Sequence, residues 1–174
     1  MTFKKFSFFC ALFLCVFTSC KKNGGSSSGY HLTATIDGQS QSFNVNPFVF
    51  KVTNGGASII SIEGYAGNQS NQQIMAISWT SYSPSVILIP GNYSDTSSAY
   101  SLEGVYNPSI SVSYVGGNGL TANMSNSNHL KMTITSIDST AVKGTFSGDF
   151  YLNGDASSPK KSITSGDFYV PWKK

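Results

Sequence analysis

The sequence contains no arginine, and its charged residues make up only 11% of the chain, 11 lysines against 8 acids. Nucleic-acid readers gather Lys and Arg on one face and use Arg for bidentate contacts to guanine. Here the lysines are scattered, mostly as pairs (Lys4/Lys5, Lys21/Lys22, Lys160/Lys161, Lys173/Lys174), so a nucleic-acid partner is not expected. Cysteine is absent after position 20: the three are Cys10, Cys15 and Cys20. No disulfide can therefore staple the remainder of the chain. Long apolar runs are lacking too. The one such run, Phe6 to Phe17, falls short of the ~20 residues that a bilayer-spanning helix needs. Downstream of it no window carries a 3.6-residue apolar period, which excludes a helical architecture.

What remains is rich in Ser, Thr, Asn and Gly, with 13% aromatics, a mixture suited to an exported all-β domain. Apolar residues alternate with polar ones between turn signals. Leu32, Ala34 and Ile36 lead into an Asp37-Gly38 hairpin turn; Phe43 and Val45 return, and Pro47 breaks the run. Strands are expected at 48–53, 59–65, 72–79, 100–106 and 111–115, with turns at Asn54-Gly55-Gly56 and Gly116-Gly117-Asn118-Gly119. In 72–79, Ile74 and Ala76 take one face and Met75, Ile77 and Trp79 the other, as in a central strand. Val86 to Ile89 is a short apolar run ended by Pro90-Gly91, while 93–99 and 123–128 read as loops. About ten short strands in one domain give an antiparallel all-β fold. A jelly-roll-like β-sandwich is the first expectation and an up-and-down β-barrel the second.

The C-terminal block is the most explicit. Three antiparallel strands are expected at 130–137, 141–152 and 160–170. A 138–140 turn pairs Ile137 with Ala141, Ile134 with Gly144 and Met132 with Phe146. A loop centred on Ala156 pairs Val142 with Val170, Gly144 with Phe168, Phe146 with Gly166, Gly148 with Thr164 and Tyr151 with Lys161. On this register Ser-Gly-Asp-Phe-Tyr, present at 147–151 and 165–169, recurs because each strand glycine lies under a phenylalanine of its neighbour.

The N-terminus reads as an address. Lys4 and Lys5 precede the apolar run, and Thr18-Ser19 precede Cys20, the layout of a secretory signal. Phe17-Thr18-Ser19-Cys20 resembles the lipobox of bacterial lipoproteins, with Phe17 where Leu or Val is usual. The resemblance implies cleavage before Cys20 and acylation of that residue. The expected organisation is a lipoprotein signal peptide at 1–19, a flexible Gly/Ser tether at 20–29 and a single β domain at 30–174. The chain also resembles small lipoproteins of unknown function in the Bacteroidota, through Cys20, Thr35-Ile36-Asp37-Gly38, Ile89-Pro90-Gly91-Asn92-Tyr93, Gly144-Thr145-Phe146-Ser147-Gly148 and Gly166-Asp167-Phe168-Tyr169-Val170. That likeness implies an outer-membrane lipoprotein of the cell envelope, without catalytic residues or cofactor. Lys21-Lys22 stands where surface-exported members carry acids, which favours the periplasmic face.

Candidate chemistry is sparse. His31 and His129 begin separate strands and are neighbours only if those strands meet; two polar strand ends is the plainer reading. Asn153-Gly154-Asp155 matches a fragment of a calcium loop without its further ligands. No Gly-x-Ser-x-Gly elbow or phosphate-binding glycine loop occurs. Trp79 and Tyr82 are candidates for an aromatic platform that stacks on a sugar, against the ordinary use of aromatics as core. The sequence therefore points to a lipid-anchored, non-enzymatic binding or structural module, glycan-binding in its sharper form. The alternative is a carbohydrate hydrolase with Glu63 and Glu103 as its two carboxylates.

Overall fold

A computed structural model of the chain describes residues 29–68, 72–83, 85–118 and 129–174. The signal segment, Cys20, the tether up to residue 28 and the 123–128 loop lie outside the described residues. The fold is all β, and its strand ladders are antiparallel. Among the described residues eleven strands follow one another: β1 His31–Ile36, β2 Gln39–Ser42, β3 Val45–Asn54, β4 Ala57–Ala66, β5 Gln73–Ser81, β6 Gly91–Ser94, β7 Ser101–Ser109, β8 Val112–Gly117, β9 Lys131–Ile137, β10 Ala141–Leu152 and β11 Lys160–Pro171. They hydrogen-bond as a single curled sheet in the order β2-β1-β11-β10-β8-β7-β5-β4-β3.

Tight turns account for much of this order. Asp37 and Gly38 both take positive φ between Ile36 and Gln39, and Gly55 and Gly56 do so between Asn54 and Ala57. These are two-residue hairpins whose twist matches that of their strands. The sheet curls until its β3 edge reaches the chain just past β11. A single parallel bridge joins Val49 of β3 to Trp172, just past β11, and the Lys173 N–H donates to the Val49 carbonyl at 2.7 Å. β10 divides its free edge. Residues 142–147 pair with β9, whereas Tyr151 and Leu152 pair with β8. β9 in turn carries β6. At the fork, a side chain on Gly148 would strike the Leu130 backbone, so the glycine is what lets the two segments cross closely.

The inward face is apolar, with Leu32, Phe43, Val49, Ile62, Met75, Ile77, Leu102, Leu130, Met132, Ile134, Phe150 and Phe168 all withdrawn from solvent. Phenylalanines lie over glycines as expected: Phe146 over Gly166, Phe168 over Gly144, and also Phe150 over Gly104 and Gly116. The pairings Val142–Val170, Gly144–Phe168, Phe146–Gly166, Ile134–Gly144 and Met132–Phe146 are all present. With Cα atoms directly opposed, Val142→Cys with Val170→Cys should oxidise to a disulfide. Intact mass before and after reduction reads the two-proton difference; free thiols after mild oxidation would reject the register.

The register departs from expectation at two bulges. β11 has one more residue than β10 between Phe146 and Gly148, so Gly148 faces Ile163 instead of Thr164, and Tyr151 faces Lys160 instead of Lys161. β1 registers the same interruption, stepping from Thr35–Ser165 to Ile36–Ile163. In β9 an extra residue near Thr135 puts Ile137 opposite Val142 instead of Ala141. Each bulge places two consecutive polar residues outward, Thr164-Ser165 and Thr135-Ser136, while Ile163 and Ile134 stay buried. Pro47 does not end its strand. It sits in a register shift of β3, on an edge where no N–H is required. Val86 to Ile89 forms no strand, and Gly91–Ser94 does, because Asn92 and Tyr93 find partners in Thr133 and Met132.

Candidate functional site

The two ends of the body differ. One end holds the β1–β2 turn, the β10–β11 loop and the base of β11. There the Lys161 ammonium donates to Asp37 at 2.7 Å, and the Ser162 N–H donates to the other Asp37 oxygen at 2.9 Å. Lys160 donates to the buried Asp149 at 2.6 Å, and Ser162 Oγ donates to the same carboxylate at 2.5 Å. Tyr106 and Tyr114 stack at 6.3 Å beside them, and Lys161 lies 5.8 Å from the Tyr114 ring centre. This end is plugged.

The plug and the turn at 138–140 make stability pH-dependent. The Lys161 hydrogen bond, then the Ser162 N–H, holds the Asp37 carboxyl below its usual range. Asp138 is lowered by the Thr140 hydroxyl and the N–H groups of Thr140 and Ala141, and Asp155 by the Ser157 N–H and hydroxyl. A carboxyl whose folded pKa is depressed stabilises the fold above its unfolded pKa and loses that contribution as pH falls through the folded value. These three therefore predict a urea midpoint that is flat above pH ~5 and falls below pH ~4. Asp37→Asn should flatten that fall, and an unchanged acid limb would reject the assignment. Lys160 and Lys161, raised by Asp149 and Asp37, act in the opposite sense. Their contribution holds at neutral pH and is lost only as pH rises above the ordinary lysine range.

The other end is open. A cleft of about 360 Å³ lies at the mouth of the body, between the β3–β4 hairpin and the stretch Val86–Leu88. Its walls are Lys51, Thr53, Gly56, Ser58 and Ile60 on one side and Val86, Ile87, Leu88, Ile137 and Trp172 on the other. Trp172 is fixed by its indole N–H, which donates to the Asp138 carbonyl at 2.7 Å, and by its main-chain N–H on the Thr140 carbonyl. Lys51 shares the inward row of β3 with Val49, because Phe48, Phe50 and Val52 take the outward row. No acid pairs with Lys51 among the described residues. The cleft is thus apolar with one cation at its rim. Tyr93 stiffens the loop above it: its hydroxyl donates to the Ile89 carbonyl at 2.6 Å and accepts from the Ile89 N–H at 3.0 Å.

A second hollow, of about 290 Å³, lies on the outer face over the β11 bulge, lined by Lys131, Thr133, Thr145, Ser147, Thr164 and Ser165 among others. It is shallow and rich in hydroxyls, and the one aromatic residue of its lining, Phe146, is buried.

The residues singled out from sequence fare differently. Trp79 is 1% exposed, packed inside against Tyr93 and Tyr100 at 6.4 and 6.1 Å. The sugar platform of Trp79 and Tyr82 is therefore corrected: the central position of β5 turns Trp79 into the core, and only Tyr82 is exposed. Glu63 and Glu103 share the outward face of the sheet, on β4 and β7, with β5 between them. Glu63 accepts from Ser61 and Tyr65, each at 3.3 Å, and neither acid lines the mouth cleft or the hollow over the β11 bulge.

His31 and His129 are not brought together. His31 lies opposite Tyr169 and meets Asp167 at 2.5 Å. His129 lies at the level of Gly148, which faces Ile163, and its Nδ1 is 2.9 Å from the buried Asp95. Six β11 residues separate the two levels, roughly 20 Å of strand. Asp95 is held chiefly by the Leu130 N–H at 2.9 Å. The Asn153-Gly154-Asp155 stretch is a turn, with Asn153 at positive φ and Asp155 bonded to Ser157 and Ser158. No group of three or more His, Cys, Asp or Glu able to hold a metal occurs among the described residues.

Sequence reading missed the mouth. Its signals were the apolar run Val86–Ile89 between two prolines and a lysine placed in an apolar strand. Comparison with protein-family models, with curated proteins and with solved structures returns no match.

Proposed function

We propose that this protein is a lipid-anchored, non-enzymatic module of the cell envelope that binds a small amphiphile in the mouth of its β body. One observation carries the reading: the apolar cleft walled by Ile60, Leu88, Ile137 and Trp172, with Lys51 at its rim. Concave, mainly apolar sites with a few placed polar groups are the usual form of small-molecule pockets, and barrel mouths are among their preferred places. Apolar burial contributes ~0.8 kcal/mol per methylene, so a short alkyl chain supplies most of the affinity. The lysine selects an anionic head. The lipid anchor and the periplasmic side of the outer membrane rest on Phe17-Thr18-Ser19-Cys20 and Lys21-Lys22.

The test uses anilinonaphthalene sulfonate, an apolar probe with one anionic group, on the folded protein. We expect saturable one-to-one binding with emission enhancement, competed by alkyl carboxylates of medium length. Ile137→Asp should weaken it at least tenfold with the near-UV spectrum preserved. Lys51→Gln should weaken the carboxylates about fivefold, the equivalent of ~1 kcal/mol, and leave the matching alkyl alcohols unchanged. Binding indifferent to Ile137→Asp would remove the cleft as the site.

A further inference from the structure

The open mouth lies at the end of the molecule where the described chain begins and ends. Tyr30 and His31 enter opposite Tyr169, near the top of β11, and Trp172 to Lys174 leave just beyond it. The described chain therefore begins at this end, at Gly29, nine residues after Cys20 in sequence. Four of the exposed large apolar residues gather here: Tyr82, Ile87 and Ile89 on the loop after β5, and Val52 beside the β3–β4 turn, 44 to 63% exposed. Val45 and Ile110 lie toward the other end.

Charge is polarised along the same axis. The mouth carries Lys51, Lys143, Lys173 and Lys174 against Asp138. The plugged end carries Asp37, Asp95, Asp149 and Asp155 against Lys131, Lys160 and Lys161. Glu63, Glu103 and Asp167 lie on the wall between them. Just past Trp172, Lys173 reaches over the outward Phe48 ring, whose centre is 4.5 Å from its ammonium.

We infer that the mouth end rests on an anionic lipid surface, with Ile87 and Ile89 immersed at the acyl boundary, Tyr82 at headgroup level and the lysines on lipid phosphates. Aliphatic and aromatic side chains ringed by lysine suit this interface: the apolar groups enter it and the cations keep their heads in the polar layer. Each lysine near an anionic surface adds to the attraction, which fades within a Debye length. The orientation turns the cleft toward the bilayer. It does not require a ligand in the cleft, and it stands apart from the binding assay above.

The test labels the full chain, as recovered from its host membrane, at Ile87→Cys or Ile110→Cys with a water-sensitive fluorophore. The protein is placed in phosphatidylcholine vesicles with or without phosphatidylglycerol, which contain a lipid bearing a nitroxide on its acyl chain. We expect label 87 to shift to the blue and be quenched severalfold in the anionic vesicles, with label 110 unchanged. Lys51→Gln with Lys173→Gln should reduce that quenching at least threefold, as should high salt. Equal, water-like signals at 87 and 110 in anionic vesicles overturn the inference. A chain without acyl groups on Cys20 would overturn the anchor alone. The mouth face is then judged by flotation of the chain with anionic vesicles: co-flotation that needs Ile87 and Lys51 supports it, and its absence rejects it. Label 87 shielded from water but untouched by the lipid quencher would assign the face to a protein partner and overturn the lipid proposal.

Discussion

Gly104→Ala should cost roughly 3 kcal/mol of stability, the upper end of overpacking penalties, and Phe150→Leu should return part of that loss. A methyl at 104 would overlap the far edge of the Phe150 ring. The strand cannot move aside, because β7 is paired on both sides, Gly104 with Ile77 of β5 and with Gly116 of β8. Nor can the ring retreat, since it also covers Gly116 and is itself fully buried. Leucine at 150 is shorter, so the double variant should be more stable than Gly104→Ala alone, although Phe150→Leu by itself destabilises. Urea denaturation of the four proteins gives the coupling directly. Additive losses would mean that the ring and the glycine do not share one space. Gly117→Ala provides the contrast: its methyl would strike the Leu102 main-chain carbonyl, and φ is 94°. No side-chain substitution should rescue it.

Cys20→Ser should abolish membrane anchoring. In the proposed lipoprotein, wild-type chains partition into detergent and incorporate labelled fatty acid, and the variant does neither. The effect is large because an acyl chain contributes ~0.8 kcal/mol per buried methylene, and more than one chain makes attachment stable. Conservation of the near-UV spectrum in the variant is expected, since residue 20 precedes the folded body, whose first strand begins at His31. Fatty-acid labelling that persists in Cys20→Ser would end the lipoprotein reading.

Much of the fold was legible because one face of nearly every strand is buried. Alternation of apolar residues therefore located β4, β5, β7, β10 and β11, and the Asp37-Gly38 and Asn54-Gly55-Gly56 turns set two hairpins. Glycine facing phenylalanine fixed most of the C-terminal register. The bulges escaped because their residues are ordinary surface threonines and serines. Yet both occur at the same tripeptide, Ile-Thr-Ser, at 134–136 and 163–165. In each, the next inward residue comes three positions on, at Ile137 and Gly166, instead of two. An alternation that skips a beat is the trace a bulge leaves.

The faces of β3 could not be assigned from alternation alone. Phe48, Phe50 and Val52 look like its inward row, but Val49 is the fully buried member. The aromatic row instead covers the outside, with Phe48 against Tyr65 at 6.3 Å. The mouth could not be read from the sequence because it joins residues from 51 to 172 that only the closed sheet brings together. The Trp79 platform failed for a simpler reason: a tryptophan in a strand with neighbours on both sides is core.

The pairing of β1 with β11 also sets the order of events in time. His31 finds Tyr169, and the Val49–Trp172 bridge forms, only once nearly the whole sequence is present. Closing so long a loop precedes any gain from the contacts it brings, which makes folding slow and late. A chain synthesised N-terminus first thus carries β1 without its main partner, and β3 without its bridge, until the last dozen residues are made. During that interval its unpaired strand edges are open to other chains. Loss of the final strand would leave the body permanently in that state, while the β3–β4–β5–β7–β8 meander could already have formed from neighbours in sequence.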